Sequence, residues 1–130
     1  MIFNQTDNIY DKYSEVIELT NKDFIMKNNE LILKNKNFKN VDGLIAFYAP
    51  WCGHCQNMRD MWSDLAIQFK FKFSIGAVNC ENKKNVSLTM RANIEQYPTI
   101  KYVDSNGRLY NIDKLNTKDD FIAFICSKLK

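Results

Sequence analysis

An unbroken apolar run at residues 44–49 constrains the fold of this 130-residue chain more than any other feature. The run reads Leu-Ile-Ala-Phe-Tyr-Ala, and Gly43 and Pro50 bound it as turn signals. Such a run predicts a central strand that is buried on both faces. From Cys52 to Phe69, apolar residues then recur at helical spacing. A buried strand that leads directly into a long amphipathic helix indicates an α/β domain.

The remaining patterns predict further strands and helices around this pair. Residues 15–19 alternate like a short strand, and Asn21 is placed to cap a helix with Phe24, Asn28 and Leu31 on one face. The other predicted elements are a surface connection at 29–42 with room for one extra turn or strand, a strand at 71–78, a helix at 82–91, a hairpin of strands 99–103 and 108–112, and a last helix capped by Asn116 or Thr117. The predicted order is β-α-β-α-β-α-β-β-α, which implies a mixed sheet flanked by helices.

Length and charge limit what this chain is built to do. We expect residues 1–13 to form a polar tail and residues 14–130 to form one domain, since 45% hydrophobic residues suit one core. A net charge of +3 gives no reason to propose nucleic acid or a membrane as a partner. The termini carry neither the apolar core of a signal peptide nor an ER-retrieval tetrapeptide, so we expect a monomeric domain of a longer protein.

The chemistry of the chain concentrates in Trp51-Cys52-Gly53-His54-Cys55, between the predicted strand and helix. N–H groups at a helix start are unpaired and the dipole is positive there, so a thiolate at Cys52 is favoured and Cys52 is the predicted nucleophile. Cys55 lies one turn further in, where it can resolve a mixed disulfide on Cys52. Partial positive charge on His54 stabilises the thiolate and makes the disulfide a better oxidant.

Other interpretations of these motifs stay open at this point. Half of a zinc site would need a second pair of ligands, and only Cys80, Cys126 and the single histidine remain. A permanent structural disulfide would be an unusual staple at a three-residue separation. Pro98 is also ambiguous, because composition favours a trans proline that begins an edge strand, whereas a cis proline would be a purposeful feature.

The segment Phe47–Cys55 resembles the active site of the catalytic domains of protein disulfide isomerases. Tyr97–Tyr102 and Val16–Thr20 resemble the cis-proline segment and the opening strand of the same domains, and the likeness covers residues 14–129 in the right order. It implies a thioredoxin fold and an enzyme that exchanges disulfides with protein substrates through Cys52 and Cys55. It also implies that neither a cofactor nor a metal is needed.

The same resemblance implies roles for the neighbouring residues. Pro98 would be the cis-proline that packs against the cysteine pair, and the Tyr97 backbone would pair with substrate like an added strand. Gly53 joins His54 in redox tuning. The residues that would contact substrate are Trp51, Tyr97 and Thr99. The family setting implies the lumen of the endoplasmic reticulum, protein partners with thiols or disulfides, and glutathione or an upstream oxidase as redox partner.

The chain departs from the family pattern at two positions. Family members usually bury a carboxylate before the Phe47-Tyr48 pair and a lysine partner in the next strand, whereas Ala46 and Ala77 stand there in this chain. Losing both charges together is physically consistent, because one buried charge left alone is costly. We therefore expect Cys55 to deprotonate slowly and Ala46→Glu to speed resolution. The alternative function is a client-binding chaperone module with slow redox turnover.

The sequence also contains several weaker signals outside the cysteine motif. Lys114 aligns loosely with a family arginine that tunes the resolving cysteine, and Asp60 replaces a helix-kinking proline. Cys80 and Cys126 are most simply small residues at a strand end and on a helix. The two sequons, which mildly favour a secretory setting, begin at Asn4 and Asn85.

Overall fold

A computed structural model describes residues 6–11, 14–38 and 41–129 of the chain. The strands are β1 (Ile17–Leu19), β2 (Phe24–Lys27), β3 (Glu30–Leu33), β4 (Gly43–Tyr48), β5 (Ser74–Asn79), β6 (Thr99–Val103) and β7 (Leu109–Asn111). The helices are α1 (Gly53–Asn57), α2 (Arg59–Gln68), α3 (Val86–Arg91) and α4 (Lys118–Lys128). Short 3-10 turns lie at Asn21–Asp23, Lys36–Phe38 and Lys83–Asn85.

Five strands form one mixed sheet in the order β1-β5-β4-β6-β7. The central strand β4 pairs in parallel with β5 and antiparallel with β6, and all six of its residues are buried. This confirms the prediction of a central strand from the apolar run at residues 44–49. The late hairpin of β6 and β7 is also confirmed, although its second strand is shorter than predicted.

Helices and loops cover both faces of this sheet with apolar side chains. On one face, Trp62 of α2 is fully buried, packs edge-on against Phe121 of α4 and donates a hydrogen bond to the Gly76 carbonyl at 2.9 Å. The other face is closed by Leu19, Phe38 and further buried residues that include Leu88 of α3. The predicted capping of the last helix is confirmed, because Thr117 accepts from the Asp120 N–H while Asp120 accepts from the Thr117 N–H.

The predicted helix after Asn21 is wrong. The chain makes one 3-10 turn capped by Thr20, and then a β2–β3 hairpin in which Phe24 pairs with Leu33 and Ile25 with Ile32. Asn28 and Asn29 turn the hairpin with φ values of 53° and 63°, a conformation that asparagine tolerates better than other non-glycine residues. The extra strand expected within residues 29–42 is therefore present, as β3, and the first α of the predicted order is a hairpin.

The N-terminal segment also differs from the polar tail expected at residues 1–13. Ile9 and Tyr10 are only 3% and 6% exposed and belong to the main core. Asn79 of β5 holds this segment by donating hydrogen bonds of 2.9 Å to the Thr6 carbonyl and to the Asn8 side chain. Apolar burial and two side-chain hydrogen bonds thus attach residues 6–10 to the domain.

Smaller differences concern element boundaries. The helix expected from Cys52 is interrupted at Met58, which caps α1 and precedes α2. The strand expected at 71–78 begins only at Ser74, because Phe71 has a φ of 70° and is 90% exposed. The predicted helix at 82–91 consists of a 3-10 turn followed by α3.

Candidate active site

The site is built where β4 ends and α1 begins. The Cys52 N–H donates to the Ala49 carbonyl at 3.0 Å, and the Gln56 side chain donates to the Pro50 carbonyl at 2.6 Å. These bonds close the turn that presents Cys52 as the N-cap of α1. The Cys55 N–H points at the Cys52 sulfur at 3.4 Å, so the two cysteines share one helical turn.

The two cysteines lie in different environments. Cys52 keeps 9% of its surface exposed beside Trp51, which is 52% exposed, whereas Cys55 has no exposed surface. Burial, and then hydrogen bonding with Cys52, raises the pKa of the Cys55 thiol to about 12. A buried thiol favours its neutral form because the protein interior solvates a thiolate poorly. The structure therefore leaves part of Cys52 accessible to a partner protein, whereas Cys55 is shielded from solvent and lies next to Cys52.

The segment around Pro98 faces Cys52 from β6. The peptide bond between Tyr97 and Pro98 is cis, as the family resemblance implies. The Cys52 thiol donates to the Tyr97 carbonyl at 3.5 Å. Trp51 packs edge-on against the Tyr97 ring at 5.9 Å, and its indole N–H donates to Glu81 Oε1 at 2.5 Å. Trp51, Cys52 and Tyr97 thus form one continuous surface, and Glu81, which the sequence analysis did not single out, fixes its aromatic edge.

A groove of about 340 Å³ runs from this surface along β6. Its lining includes His54, Pro98, Thr99 and Lys114, together with the apolar side chains of Met58, Met61, Ile100 and Leu115. Of these lining residues, His54 and Lys114 are exposed to solvent. Gly53 is also exposed, and a Cβ added to it would meet nothing within 4 Å, so packing does not demand glycine at this position.

The four cysteines are free thiols, and two of them lie apart from the pair. Cys80 is buried at the end of β5, and its N–H donates to the Tyr48 carbonyl at 2.8 Å. Burial raises the pKa of Cys80 to about 11. Cys126 is exposed on α4. Within residues 6–11, 14–38 and 41–129, no group of three or more His, Cys, Asp or Glu side chains is placed to hold a metal ion.

The sequon at Asn85 lies in the interior. Asn85 is 1% exposed, its amide donates to the Asn79 carbonyl at 2.9 Å, and its side-chain oxygen accepts from the Asn21 N–H at 2.8 Å. A glycan on this amide is incompatible with the fold, because it would remove a buried hydrogen bond and needs space that is filled. The sequon at Asn4 lies outside the described residues.

A half-buried carboxylate that could not be found from the cysteine motif lies on the face of the sheet that carries Cys55. Ala46 and Ala77 are buried and directly paired, and Glu18 of β1 is paired with Ala77, so all three side chains point to the same face. Glu18 accepts a hydrogen bond of 2.5 Å from the Tyr48 hydroxyl. Burial raises the pKa of Glu18 to about 7, and the Tyr48 hydrogen bond only partly opposes that rise. The alternation of residues 15–19 was the available signal, since it places Glu18 on the same face as buried Val16.

This carboxylate makes the stability of the fold depend on pH. The folded state binds the Glu18 proton more tightly than the unfolded chain, whose pKa is 4.5, so the free energy of unfolding should fall as pH rises from about 5 to about 8. We expect a loss of about 2 kcal/mol, less than the full shift because the side chain is only partly buried. Urea unfolding at about pH 5 and at about pH 8 measures this loss of stability. Glu18→Gln should remove the loss and Glu15→Gln, at an exposed neighbour, should keep it; equal pH dependence in all three proteins would contradict the assignment.

Comparison with known proteins accounts for this geometry. A family model described as Thioredoxin matches residues 15–127. The chain belongs to the thioredoxin family. Within the described part of this thioredoxin domain, no helix is both long and apolar enough to cross a membrane.

Relatives of this thioredoxin domain are named as disulfide isomerases. It is 36% identical over 104 residues to protein disulfide-isomerase A6 of Mesocricetus auratus, an alignment that covers 80% of the chain and 21% of that protein. It is 34% identical over 90 residues to a protein disulfide-isomerase of Datisca glomerata, covering 69% of the chain and 17% of that protein. The chain thus spans about a fifth of the length of the curated relatives it matches.

Solved structures agree with the fold. The Trx4 domain of ERdj5 matches with a TM-score of 0.63 and 26% identity, over 90% of this chain and 97% of that one. The J-Trx1 fragment of ERdj5 matches with a TM-score of 0.69 and 21% identity, over 88% of this chain and 50% of that one. The predicted thioredoxin fold, with its mixed sheet flanked by helices, is confirmed.

Proposed function

We propose that this domain is a thiol–disulfide oxidoreductase and isomerase that acts on protein substrates through Cys52 and Cys55. The observation that carries the proposal is the unequal burial of the two cysteines: Cys52 keeps 9% of its surface exposed beside exposed Trp51, and Cys55 is fully enclosed. Sequence likeness to protein disulfide isomerases supports the same reaction class.

The reaction proceeds by two sulfur exchanges. The Cys52 thiolate attacks one sulfur of a substrate disulfide, forming a mixed disulfide while the other substrate sulfur leaves as a thiolate and takes up a proton. Cys55 then attacks the Cys52 sulfur, which releases the reduced substrate and leaves a Cys52–Cys55 disulfide. Run in reverse, the same steps oxidise a substrate dithiol, so compartment and partner decide the direction.

Substrate recognition is assigned to the surface next to Cys52. Trp51 supplies exposed aromatic area, and the Tyr97 backbone and Thr99 lie where an extended peptide can pair along the start of β6. His54 and Gly53 stand between the two cysteines and tune the reduction potential, and Pro98 packs against the pair. We place the domain in the lumen of the endoplasmic reticulum, with thiol- or disulfide-bearing proteins as partners and glutathione or an upstream oxidase as redox source, since the named relatives are disulfide isomerases.

Redox titration in graded glutathione buffers tests this function. Cys80→Ser/Cys126→Ser keeps only the proposed pair, and alkylation followed by mass measurement counts the thiols. We expect a two-thiol transition at about −180 mV for an oxidase or isomerase, against about −270 mV for a reductase. Absence of any transition would overturn the catalytic proposal and favour the client-binding alternative, which predicts client binding that persists in Cys52→Ala.

A further inference from the structure

The enclosed position of Cys55 creates a proton-transfer problem. Cys55 must lose its proton before it attacks a mixed disulfide, and it must regain one when the disulfide is reduced. With its pKa at about 12, only about one thiol in 10⁵ is ionised near neutral pH. Attack by Cys55 is therefore slow unless a group in the protein accepts the proton.

Glu18 is positioned to be that group. It lies on the sheet face that carries the core around Cys55, in one row with Ala46 and Ala77, whose small side chains place no bulk beside it. Its Oε1 accepts from the Tyr48 hydroxyl at 2.5 Å. The ion pair of this segment is made by exposed Glu15 with Lys70, whereas the Glu18 carboxylate bonds the Tyr48 hydroxyl.

Two tyrosines connect Glu18 with the region of Cys55. The ring of Tyr10 packs edge-on against Tyr48 at 5.5 Å, and both belong to the core cluster that contains Cys55. Burial raises the pKa of Tyr10 most, and the charges of Glu18 and Cys55 each raise it further. The third charged influence on Tyr10 is Arg59 of α2, which lowers its pKa.

We propose that Glu18 accepts the proton released by Cys55 and returns it, acting as a positioning residue through the hydroxyl groups of Tyr48 and Tyr10. During resolution, the proton of the Cys55 thiol moves to the Glu18 carboxylate while the Cys55 sulfur bonds to Cys52 and the substrate sulfur leaves with its electron pair. During reduction of the Cys52–Cys55 disulfide, Cys55 leaves as a thiolate and receives the proton from Glu18. On this proposal the chain has a half-buried carboxylate for its resolving cysteine, and it lies on β1.

Two further facts fit this role. With a pKa of about 7, Glu18 is divided between acid and base near neutral pH, as suits a group that must both take and give a proton. On this proposal the carboxylate that serves the resolving cysteine lies on β1, two strands away from Ala46 of β4 in the sheet order. The inference rests on the proposed function, since it takes Cys55 as the resolving cysteine.

The test follows the release of glutathione from a mixed disulfide preformed on Cys52, by stopped flow across about pH 5 to pH 9. In the unmodified chain the rate should rise with an inflection near pH 7. Glu18→Gln should lose the inflection and release glutathione at least about tenfold more slowly near neutral pH, with the gap closing as hydroxide takes over. Glu15→Gln, an exposed carboxylate on the same segment, should match the unmodified chain.

The outcomes separate the two proposals. If Glu18→Gln releases glutathione as fast as the unmodified chain and keeps the inflection, the role of Glu18 is overturned while the proposed function stands. Faster release would also overturn that role, because it is what the mere removal of a negative charge would cause. No release from the unmodified chain at any pH would overturn Cys55 as resolving cysteine. Tyr48→Phe is the second variant, for use where Glu18→Gln folds poorly. It removes the hydroxyl through which Glu18 acts, so glutathione release should be slow near neutral pH, as in Glu18→Gln, and release as fast as in the unmodified chain would overturn the role.

Discussion

Cys52→Ala is expected to abolish disulfide exchange, lowering the rate of insulin disulfide reduction by about a thousandfold or more. The reason is geometric, because Cys52 keeps 9% of its surface exposed, whereas Cys55 has no exposed surface. A substrate disulfide therefore cannot reach Cys55 when Cys52 is absent. The rate is measured from the turbidity of released insulin chains, with thermal unfolding of the variant as a check on its fold.

Cys55→Ala should behave differently, although it too should lose turnover. Its Cys52 can still attack, so mixed disulfides with substrate should accumulate and be visible as a mass increase after acid quenching. Cys126→Ala, which removes an exposed thiol from α4, should turn over like the unmodified chain. Full turnover by Cys55→Ala would contradict the assignment and point to resolution by another thiol, of which Cys80 is the buried candidate behind the site.

The parts of this fold that sequence reasoning predicted are those with strong local patterns. The apolar run at 44–49 could only be buried, and the spacing of Trp62, Leu65 and Ala66 placed one face of α2 on the sheet. The hairpin of β6 and β7 and the Thr117 cap likewise have local signals, since a few neighbouring residues form each of them. The cysteine motif is of the same kind, because its position at a strand–helix junction follows from the sequence on either side.

The parts that sequence reasoning missed depend on distant partners. The hairpin at β2–β3 is fixed partly by β7, through the Leu33 N–H donating to the Gly107 carbonyl at 2.8 Å. Glu18 becomes a candidate proton acceptor only because β1 pairs with β5 and brings it beside Ala77. Neither contact can be predicted from neighbouring residues alone. Local signals existed only for the segments that make them: the alternation of residues 15–19 placed Glu18 on the face of buried Val16, and two asparagines between apolar runs, Asn28-Asn29, are typical of a hairpin turn.

Ala46→Glu is expected to lower the free energy of unfolding by about 3–5 kcal/mol at pH 8. Ala46 is 1% exposed and is flanked in the sheet by Ala77 and Ile100, so a longer side chain must displace its neighbours. The new carboxyl would also be buried without a cation, on the face that already carries Glu18. Urea unfolding measures the loss, and a variant as stable as the unmodified chain at pH 8 would contradict this account.

Ala46→Gln is the matched control, because it adds almost the same volume without a charge. It should lower the free energy of unfolding by only about 1–3 kcal/mol. The new carboxyl has a folded-state pKa raised above its unfolded value, so its extra cost relative to glutamine should be absent at about pH 4 and grow as pH rises. A gap between the two variants that does not depend on pH would assign the loss to packing alone.

The same substitution in the Glu18→Gln background separates two accounts of the missing family charge. If a carboxylate on this sheet face serves Cys55, one carboxylate should suffice, and Ala46→Glu/Glu18→Gln should recover part of the resolution rate lost in Glu18→Gln. It should also be more stable than Ala46→Glu alone, because the like-charge repulsion between the two carboxylates is gone. Recovery would show that what the site requires is a buried carboxylate on this face and that the strand which carries it can change. A folded double variant that stays as slow as Glu18→Gln would show that the position on β1, next to Tyr48, is itself required.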